Sequence, residues 1–406
     1  MTSFGFLSTY PPTQCGLATF SAALLRQLTG QESGDRAGVV RVVETVQPAV
    51  YPDVVAQLVN GSAGGPATAA AVLNRCDVAV VHHEYGIYGG RDGEDVLRVL
   101  DETKVPMIVV LHTVLAAPTA HQRQLLERIA DAAAAVVVMS RTAADRLREG
   151  YLVDTAKVSV IPHGVHSSRR LSPVASHDPF APPAPAAAAR RPIVLTWGLL
   201  GPGKGIERAI EAFAGLGSMD PAPRYVIAGQ THPKVLAREG ETYRGSLRAR
   251  AEELGISADV EFHPGYRNPD VLMDLVRSAD VVLLPYDSTE QATSGVLVEA
   301  VAAGRPIIAT RFPHAVEMLD GGTGLLVAHD DIPAMTEALR AVLTQPALAA
   351  SMTEACGRIA PDLAWSSVAD AYRALAESLL DAPVTAPATA TATTTATATA
   401  PATATA

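Results

Sequence analysis

Short apolar segments alternate with longer Ala-, Leu- and Arg-rich segments along most of this 406-residue chain. In its first half, the predicted strands are 4–7, 39–43, 78–81, 107–111, 135–138 and 158–161, and the predicted helices are 18–28, 119–134 and 141–150. In its second half, the predicted strands are 193–197, 225–229, 260–262, 281–284 and 306–310, and the predicted helices are 206–215, 243–254, 269–278, 331–343 and 365–380. This alternation is typical of an α/β protein in which helices cover both faces of a doubly wound parallel sheet.

The alternation stops once and then restarts, which indicates two domains. It is interrupted by a segment containing DPFAPPAPAAAARRP, and Pro/Ala segments of this kind cannot bury a core. We therefore expect an N-terminal Rossmann-like domain over 1–167, a linker over 168–192, a C-terminal Rossmann-like domain over 193–364 and a closing helix over 365–382. Residues 383–406 are almost entirely Ala, Thr and Pro, so we predict a disordered tail. Ligand sites are expected where the carboxyl ends of the strands face the cleft between the domains.

Bulk composition excludes several classes of protein. The formal net charge of −10 argues against nucleic-acid binding, because no basic face is available to follow phosphates. No apolar run reaches the roughly 18–20 residues that span a bilayer, and the first residues lack the features of a signal peptide. Three widely separated cysteines, Cys15, Cys76 and Cys356, give neither a disulfide framework nor a metal-ligand spacing. We expect a cytoplasmic, reduced protein that works without a metal.

The clearest site signal lies between the predicted strands 281–284 and 306–310. A polar loop there ends in Thr293-Ser294-Gly295, and helical periodicity then begins with Glu299 about one turn inside. Free N–H groups and the positive end of the dipole collect at a helix N-terminus, which suits an anion such as phosphate. The carboxylate can accept hydrogen bonds from ribose or sugar hydroxyls. The segment therefore predicts a site for a phosphorylated, hydroxyl-rich ligand.

A second glycine-rich turn, GLLGPGKG at 198–205, follows a predicted strand and precedes a helix. It nearly matches the phosphate-binding loop of nucleotide hydrolases, but Gly205 stands where that pattern needs a Ser or Thr hydroxyl for Mg²⁺. Lys204 can still neutralise a diphosphate without metal, and a plain turn with a solvated lysine is the alternative. Gly16, after the first strand, lets the backbone approach a ligand, although a plain turn is nearly as well supported.

Histidines stand at three predicted strand ends, in His82-His83-Glu84, in His112-Thr113 and at His163. Such positions suit proton transfer or hydrogen bonding near neutral pH, although a single histidine is more often structural. Neighbouring residues of a strand face opposite sides, so the first two histidines make a poor metal pair. Trp365 is predicted to be a packing anchor.

Taken in order, these segments resemble the retaining GT-B glycosyltransferases, specifically glycosyltransferase family 4. The resemblance covers essentially residues 3–381 and is carried by Gly16, His112 after VVL, VVVMS at 136–140, VIPHGV at 160–165, GLLGPGKG at 198–205, SADVVLLPY at 278–286, SGVLVEA at 294–300, AAGRPIIAT at 302–310 and GGTGLLV at 321–327. It implies a GT-B fold, with two Rossmann-like domains facing a central cleft, the acceptor bound by the first and the donor by the second.

The resemblance also implies roles for individual residues. Lys204 would hold the donor diphosphate, Glu299 the ribose hydroxyls, and His112 would lie beside the reacting sugar. The predicted catalytic residues are His112, Lys204, Glu299 and Gln291, and the predicted donor-binding residues are Gly16, Gly203, Ser294, Gly295, Val296 and Leu297. The N–H groups of the last three would meet the phosphates. No metal is expected.

One departure from the family pattern concerns its pair of glutamates with seven residues between them. The second of the pair is Glu299, but the first position holds Gln291. An amide can still hydrogen-bond a sugar hydroxyl, but it lacks the negative charge of a carboxylate. Glu290 is adjacent, and a shift of the loop by one residue could restore the carboxylate, so both arrangements remain open.

Other departures concern charge. Leu199 stands where the family has an arginine in the lysine turn, and Arg267 and Arg311 are weak candidates to replace it. His166 stands where the family often has Asp. These changes indicate a divergent branch with altered donor chemistry or reduced activity.

The resulting hypothesis is a retaining glycosyltransferase that moves a hexose from a UDP-, GDP- or ADP-sugar to an unidentified hydroxyl acceptor. The first alternative is a GT-B-fold protein that binds a nucleotide sugar without transferring it, which Gln291 and Leu199 favour. A P-loop-like ATPase is disfavoured by Gly205, and a sugar-nucleotide epimerase is less supported.

Overall fold

The structure is a computed structural model that describes residues 1–30, 34–48, 51–165 and 190–382. Its N-terminal domain holds a parallel sheet of seven strands in the order β3-β2-β1-β4-β5-β6-β7. The strands are β1 Ser3–Ser8, β2 Arg36–Val43, β3 Val54–Val59, β4 Val78–His83, β5 Met107–Leu111, β6 Ala135–Val138 and β7 Val158–Val160. The helices between them are α1 Gly16–Leu28, α2 Gly65–Leu73, α3 Val96–Glu102, α4 Ala120–Ala132 and α5 Arg141–Gly150.

The C-terminal domain holds a parallel sheet of six strands in the order β10-β9-β8-β11-β12-β13. The strands are β8 Ile193–Trp197, β9 Arg224–Ala228, β10 Val260–His263, β11 Val281–Leu284, β12 Ile307–Thr310 and β13 Gly324–Val327. The helices are α6 Ile206–Ala214, α7 Pro233–Glu239, α8 Thr242–Glu253, α9 Pro269–Ser278, α10 Gly295–Ala302, α11 Pro313–Leu319, α12 Ile332–Thr344, α13 Pro346–Ile359 and α14 Trp365–Asp381.

Both sheets share the doubly wound strand order and confirm the predicted α/β fold of two Rossmann-like domains. In each sheet the order reverses between its first and fourth strands, β1 beside β4 and β8 beside β11. Helices that leave neighbouring strands at such a point pass to opposite faces and open a crevice at the carboxyl ends. Each domain therefore presents a crevice where its site residues were predicted.

The predictions were best for long, strongly patterned segments. Helices α5 and α9 begin and end where predicted. Two strands and five helices were not predicted from the sequence, which are β3, β13, α2, α3, α7, α11 and α13. Both missed strands lie at sheet edges and are largely only partly buried, so their apolar signal is weak. Helix α2 is rich in Ala, which leaves it no clear apolar stripe.

The closing helix α14 returns to the N-terminal domain. Its residues Trp365, Val368 and Tyr372 are buried in one apolar cluster with Phe4 and Phe20 of that domain. The start of α14 is fixed by two backbone bonds, from Val165 N–H to Leu363 O at 2.8 Å and from Trp365 N–H to Val165 O at 3.1 Å. These two bonds join the segment that follows β7 of the N-terminal domain to the start of α14.

Some predictions fall on residues that the structure does not describe. Most of the predicted linker 168–192, the predicted tail 383–406 and His166 lie outside the described residues. The proposed domain limits stay predictions. Each helix within the described ranges is too short or too polar to span a bilayer.

Candidate active site

A cavity of about 410 Å³ lies between the two domains. Six of the ten predicted site residues line it, namely Gly16, His112, Lys204, Gly295, Val296 and Glu299. The other four, Gly203, Gln291, Ser294 and Leu297, are not among its lining residues. The topology explains the convergence, because the lining residues follow the carboxyl ends of strands in both sheets.

The N-terminus of α10 is capped by the side chain of Ser294. The Ser294 hydroxyl accepts the Leu297 N–H at 3.3 Å, and the Ser294 N–H donates to Nδ1 of His314 at 2.9 Å. This corrects two predicted roles, since the Leu297 N–H and the buried Ser294 hydroxyl already serve the helix cap. The N–H groups of Gly295 and Val296 have no acceptor within the helix by its geometry, so they are the donors available to an anion.

Glu299 lies one turn into α10 and is held by the end of β8. Nε1 of Trp197 donates to Oε2 of Glu299 at 2.9 Å, which leaves the other carboxylate oxygen for a ligand. Burial raises the pKa of Glu299 to about 7, although the bond from Trp197 favours the charged form. The carboxylate is therefore fixed in position, and its charge changes near neutral pH.

Lys204 is carried on the glycine-rich turn between β8 and α6. Its Nζ lies 4.1 Å from the centre of the Tyr286 ring, and burial lowers its pKa. Burial disfavours the charged ammonium form, and an anionic ligand beside Lys204 would stabilise that form again. Gly203, with φ of 87°, is exposed and shapes the turn rather than lining the cavity.

Gly205 ends this turn in a conformation and a space that only glycine fits. Its φ is 61°, and a Cβ atom there would collide with the carbonyl oxygen of Pro285. A serine or threonine, which a phosphate-binding loop of the hydrolase type needs, has no room at this position. The structure thus gives a steric reason why the ATPase hypothesis is disfavoured.

Two neutral histidines, His112 and His163, line the N-terminal side of the cavity, and His82 stacks on His112 behind it. Nε2 of His112 lies 2.9 Å from Nδ1 of His82, and Nδ1 of His163 donates to the Gly164 carbonyl at 2.8 Å. The Phe20 ring contacts all three imidazoles edge-on, at 5.1–5.3 Å between ring centres. Burial lowers the pKa of His82 to about 3 and of His163 to about 4, and holds that of His112 well below its usual range. These rings are hydrogen-bonding groups at pH 7, and the predicted proton transfer near neutrality is not supported.

Gln291 and Glu290 both turn away from the cavity. The Gln291 amide donates to the Thr293 carbonyl at 3.1 Å within its own loop. The Glu290 carboxylate accepts the Ala116 N–H at 3.1 Å and lies 3.7 Å from Nη1 of Arg146 in the N-terminal domain. The loop shift that would bring a carboxylate into the site is therefore absent, and the catalytic role of Gln291 stays a prediction that this geometry does not support.

Further cavity residues carried no clear sequence signal. Glu84 lines the cavity after β4, accepts the Thr113 hydroxyl at 2.5 Å, and has its pKa raised by burial. Trp365 is buried as predicted, yet its ring also lines the cavity and packs so closely on Gly164 that a Cβ atom there would overlap it. Such contacts depend on elements far apart in sequence, which a local pattern does not reveal.

Contacts on several sides hold the two domains together. The Thr19 hydroxyl lies 2.7 Å from the Tyr266 hydroxyl, and Gln230 Nε2 donates to Gln14 Oε1 at 2.9 Å. The Glu317 carboxylate of α11 accepts the backbone N–H groups of Arg141 and Thr142 at the start of α5, at 2.8 and 2.9 Å. Within the described ranges, no three His, Cys, Asp or Glu side chains gather as a metal group, and the metal-free mechanism stays a prediction.

Two family models match the chain. The model described as Glycosyl transferases group 1 matches residues 179–358, and Glycosyltransferase Family 4 matches residues 28–169. The D-inositol 3-phosphate glycosyltransferase of Mycobacterium avium (strain 104) is 30% identical over 313 residues, covering 72% of this chain and 68% of that protein. Its namesake from Rhodococcus opacus (strain B4) is 29% identical over 285 residues, covering 66% of this chain. This chain spans only 61% of that second relative.

A solved structure agrees with the fold. HepE (Alr3699) of Anabaena in complex with UDP matches with a TM-score of 0.70 at 16% identity, covering 93% of this chain and all of that one. The same protein has been solved with UDP-glucose, with a TM-score of 0.69. Identity this low shows the fold alone.

Proposed function

This chain belongs to glycosyltransferase family 4 and has the two-domain GT-B fold, and from that membership we propose that it transfers a hexose from a nucleotide sugar to a hydroxyl acceptor. One observation carries the proposal: Lys204, the N-terminus of α10 and the carboxylate of Glu299 line the same cavity. A cation, free backbone donors and a hydroxyl acceptor together suit a nucleoside diphosphate. The N-terminal side of the cavity is then left for the sugar and its acceptor.

The donor is proposed to be a UDP-hexose, ahead of the GDP and ADP sugars. The complexes of HepE with UDP and UDP-glucose support this choice, because that protein shares the fold. The free oxygen of Glu299 would accept hydrogen bonds from the ribose hydroxyls. Its other oxygen stays with Trp197, so the carboxylate needs no reorganisation when the nucleotide binds.

Catalysis would consist mainly of stabilising the leaving group. As the bond between sugar and diphosphate breaks, negative charge builds on the phosphate oxygens. Lys204 and the N–H groups of Gly295 and Val296 would meet that charge in a site already arranged for it. No metal is needed for this step, since the cation and the helix terminus supply the positive field.

Transfer is proposed to proceed with retention. The acceptor hydroxyl would approach on the same face as the departing diphosphate, and a phosphate oxygen would take its proton. This assignment fits the neutral state of His112 and His163, neither of which is a strong base at pH 7. His112 would instead hydrogen-bond the reacting sugar, and Glu84 would bind a hydroxyl on the N-terminal side.

The acceptor is proposed to be a polyol or a phosphorylated polyol. The relatives are named for D-inositol 3-phosphate, which gives the first compound to test. Glu84 supports a hydroxyl-rich acceptor, because among the described lining residues it is the carboxylate that the N-terminal domain contributes.

The test is nucleotide release from UDP-glucose, UDP-galactose, GDP-mannose and ADP-glucose, each with and without inositol, inositol phosphate and sugar phosphates. We expect acceptor-dependent UDP release, and NMR of the product should show an α linkage. Binding of the sugar nucleotide without release under any acceptor would favour the non-catalytic alternative. A change of the free sugar nucleotide into its epimer would favour the epimerase. Inverted product would refute retention while leaving transfer intact.

A further inference from the structure

Two fixed positive charges line the cavity among the residues that the structure describes, and one of them has no assigned role. They are Lys204 and Arg267. A nucleotide sugar carries one negative charge on each of its two phosphates. The lysine turn supplies only one cation, because position 199 holds a leucine that also lines the cavity. The cavity therefore holds a second cation from another loop, where its lysine turn supplies only one. It also holds the acidic Glu84 and Glu299, next to which a second cation is favourable.

Arg267 is short of partners, unlike most arginines around it. Its Nε is buried from solvent and makes no hydrogen bond within the described structure. Other arginines of the same domain are paired: Arg224 with Glu261 at 2.8 Å, and Arg250 with Glu211 at 2.8 Å. A buried guanidinium N–H without an acceptor is costly. An acceptor supplied by a ligand would remove that cost.

The backbone that carries Arg267 is fixed on both sides. The hydroxyl of the preceding Tyr266 is bonded to Thr19 of the N-terminal domain at 2.7 Å. The following Asn268 caps α9, its side-chain oxygen accepting the Asp270 N–H at 2.9 Å. The loop after β10 is therefore held across the cleft while the arginine side chain is left unpaired. This arrangement is typical of a residue kept ready for a ligand.

We infer that Arg267 binds the diphosphate of the donor and replaces the arginine that is missing at position 199. The inference rests on the proposed function. Arg311, the other candidate from the sequence, is exposed and is not among the residues that line the cavity. An arginine suits the task because its planar fork can donate two parallel hydrogen bonds to phosphate oxygens. The two cations would then come from different loops, after β8 and after β10.

The experiment compares Arg267→Met with wild type in binding UDP, UMP and uridine, measured by calorimetry. Methionine keeps much of the apolar stem of the side chain and removes its charge and its hydrogen-bond donors. Loss of a charged hydrogen bond to phosphate should weaken UDP binding by roughly 10- to 100-fold, while uridine binding stays within about twofold. Arg311→Met is the matched control and should bind UDP as wild type does.

A second variant tests replacement directly. In the Arg267→Met background, Leu199→Arg should recover a substantial part of the lost UDP affinity, because the charge returns at the family position. An equal loss for uridine and UDP would overturn the inference and assign Arg267 to the base. Unchanged UDP affinity in Arg267→Met would also overturn it. Lys204→Met separates the two proposals: if wild type binds UDP and this variant does not, the donor site stands whatever Arg267 does.

Discussion

The two sides of the cavity are built on different principles. On the C-terminal side, Lys204, Glu299 and the start of α10 offer charges and backbone donors at strand-to-helix turns. On the N-terminal side, His82, His112 and His163 surround one phenylalanine and are held neutral by burial. One side is arranged to bind an anion, and the other presents neutral imidazoles together with one buried carboxylate, Glu84.

This contrast indicates which side of the cavity should carry the chemical step. Anion binding needs fixed positive groups, and the C-terminal turns supply them within short stretches of sequence. A sugar needs a shaped wall that offers hydrogen-bonding groups to its hydroxyls, and packing of distant elements makes that wall. We therefore expect substitutions on the C-terminal side to affect transition-state charge, and substitutions on the N-terminal side to affect positioning.

The largest effect is expected from Lys204→Met. Loss of the cation that meets the leaving diphosphate should lower kcat/KM for transfer by roughly 10²- to 10³-fold. The midpoint of thermal unfolding should not fall. The ammonium group lies partly buried above the Tyr286 ring, and burial disfavours its charge, so its removal should not destabilise the fold. His112→Asn is the comparison on the other side and should cost only about tenfold, as expected for one neutral hydrogen bond. A larger loss in His112→Asn than in Lys204→Met would reverse the assignment of roles.

A steric effect of similar size is expected from Gly205→Ala. The added methyl group must push against the Pro285 carbonyl, and the free energy of unfolding should fall by on the order of 3 kcal/mol. Gly203→Ala is the matched control, because Gly203 also has a positive φ but nothing lies within 4 Å of the added atom. That variant should lose only about 1 kcal/mol. Chemical denaturation measures both, and equal losses would mean that the Pro285 contact does not govern this turn.

Glu299→Gln should weaken nucleotide binding and stabilise the free protein. Folding raises the pKa of this carboxyl from 4.5 to about 7, so ionising it costs stability that grows as pH rises from about 4.5 to 7 and is complete above that. The amide avoids this cost, which is at most on the order of 3 kcal/mol. The midpoint of the variant should exceed that of wild type by several degrees or less at pH 8 and approach it at pH 4. A variant less stable than wild type at pH 8 would show that the ionised carboxylate of Glu299 does not destabilise the folded protein.

The same group should set the pH dependence of nucleotide affinity. Ribose hydroxyls donate best to the ionised carboxylate, so affinity for UDP-glucose, whose diphosphate does not titrate in this range, should rise between pH 6 and pH 8 in wild type. Glu299→Gln should remove that rise. The histidines of the N-terminal side contribute no step in this range, because their pKa values are held at about 4 or lower or well below the usual range. A rise that survives in Glu299→Gln would point to another titrating group.

The smallest effect is expected at the contact between domains. The Glu317 carboxylate accepts two N–H groups at the start of α5, and its pKa is lowered by these bonds. Glu317→Gln should cost about 0.5–1 kcal/mol at pH 7. The difference from wild type should vanish as pH falls through the lowered pKa, because the wild-type carboxyl is then protonated too. Glu354→Gln, an exposed glutamate on α13, is the control and should change the midpoint little.

The sequence located the turns that carry the C-terminal side of the cavity, but it did not settle which of their residues face it. The start of α10 and the lysine turn are local patterns, so Gly295 and Lys204 were placed correctly in the cavity. Local patterns did not predict which partners these side chains and N–H groups contact, because other parts of the structure determine those contacts. Glu290 is drawn to Ala116, and Ser294 and Leu297 are used by the helix cap. The edge strands and Ala-rich helices were missed because their burial, and hence their apolar pattern, is weak.

The central claim is that the C-terminal side binds a nucleoside diphosphate without metal. The most direct test is thermal unfolding with UDP, GDP, ADP and ATP, each with and without Mg²⁺, on wild type and Glu299→Ala. A nucleotide at 100 times its dissociation constant stabilises a protein by about 2.7 kcal/mol. We predict that UDP raises the midpoint equally with and without Mg²⁺, and that Glu299→Ala abolishes the shift. No shift with any nucleotide, or a shift only with ATP and Mg²⁺, would contradict the account.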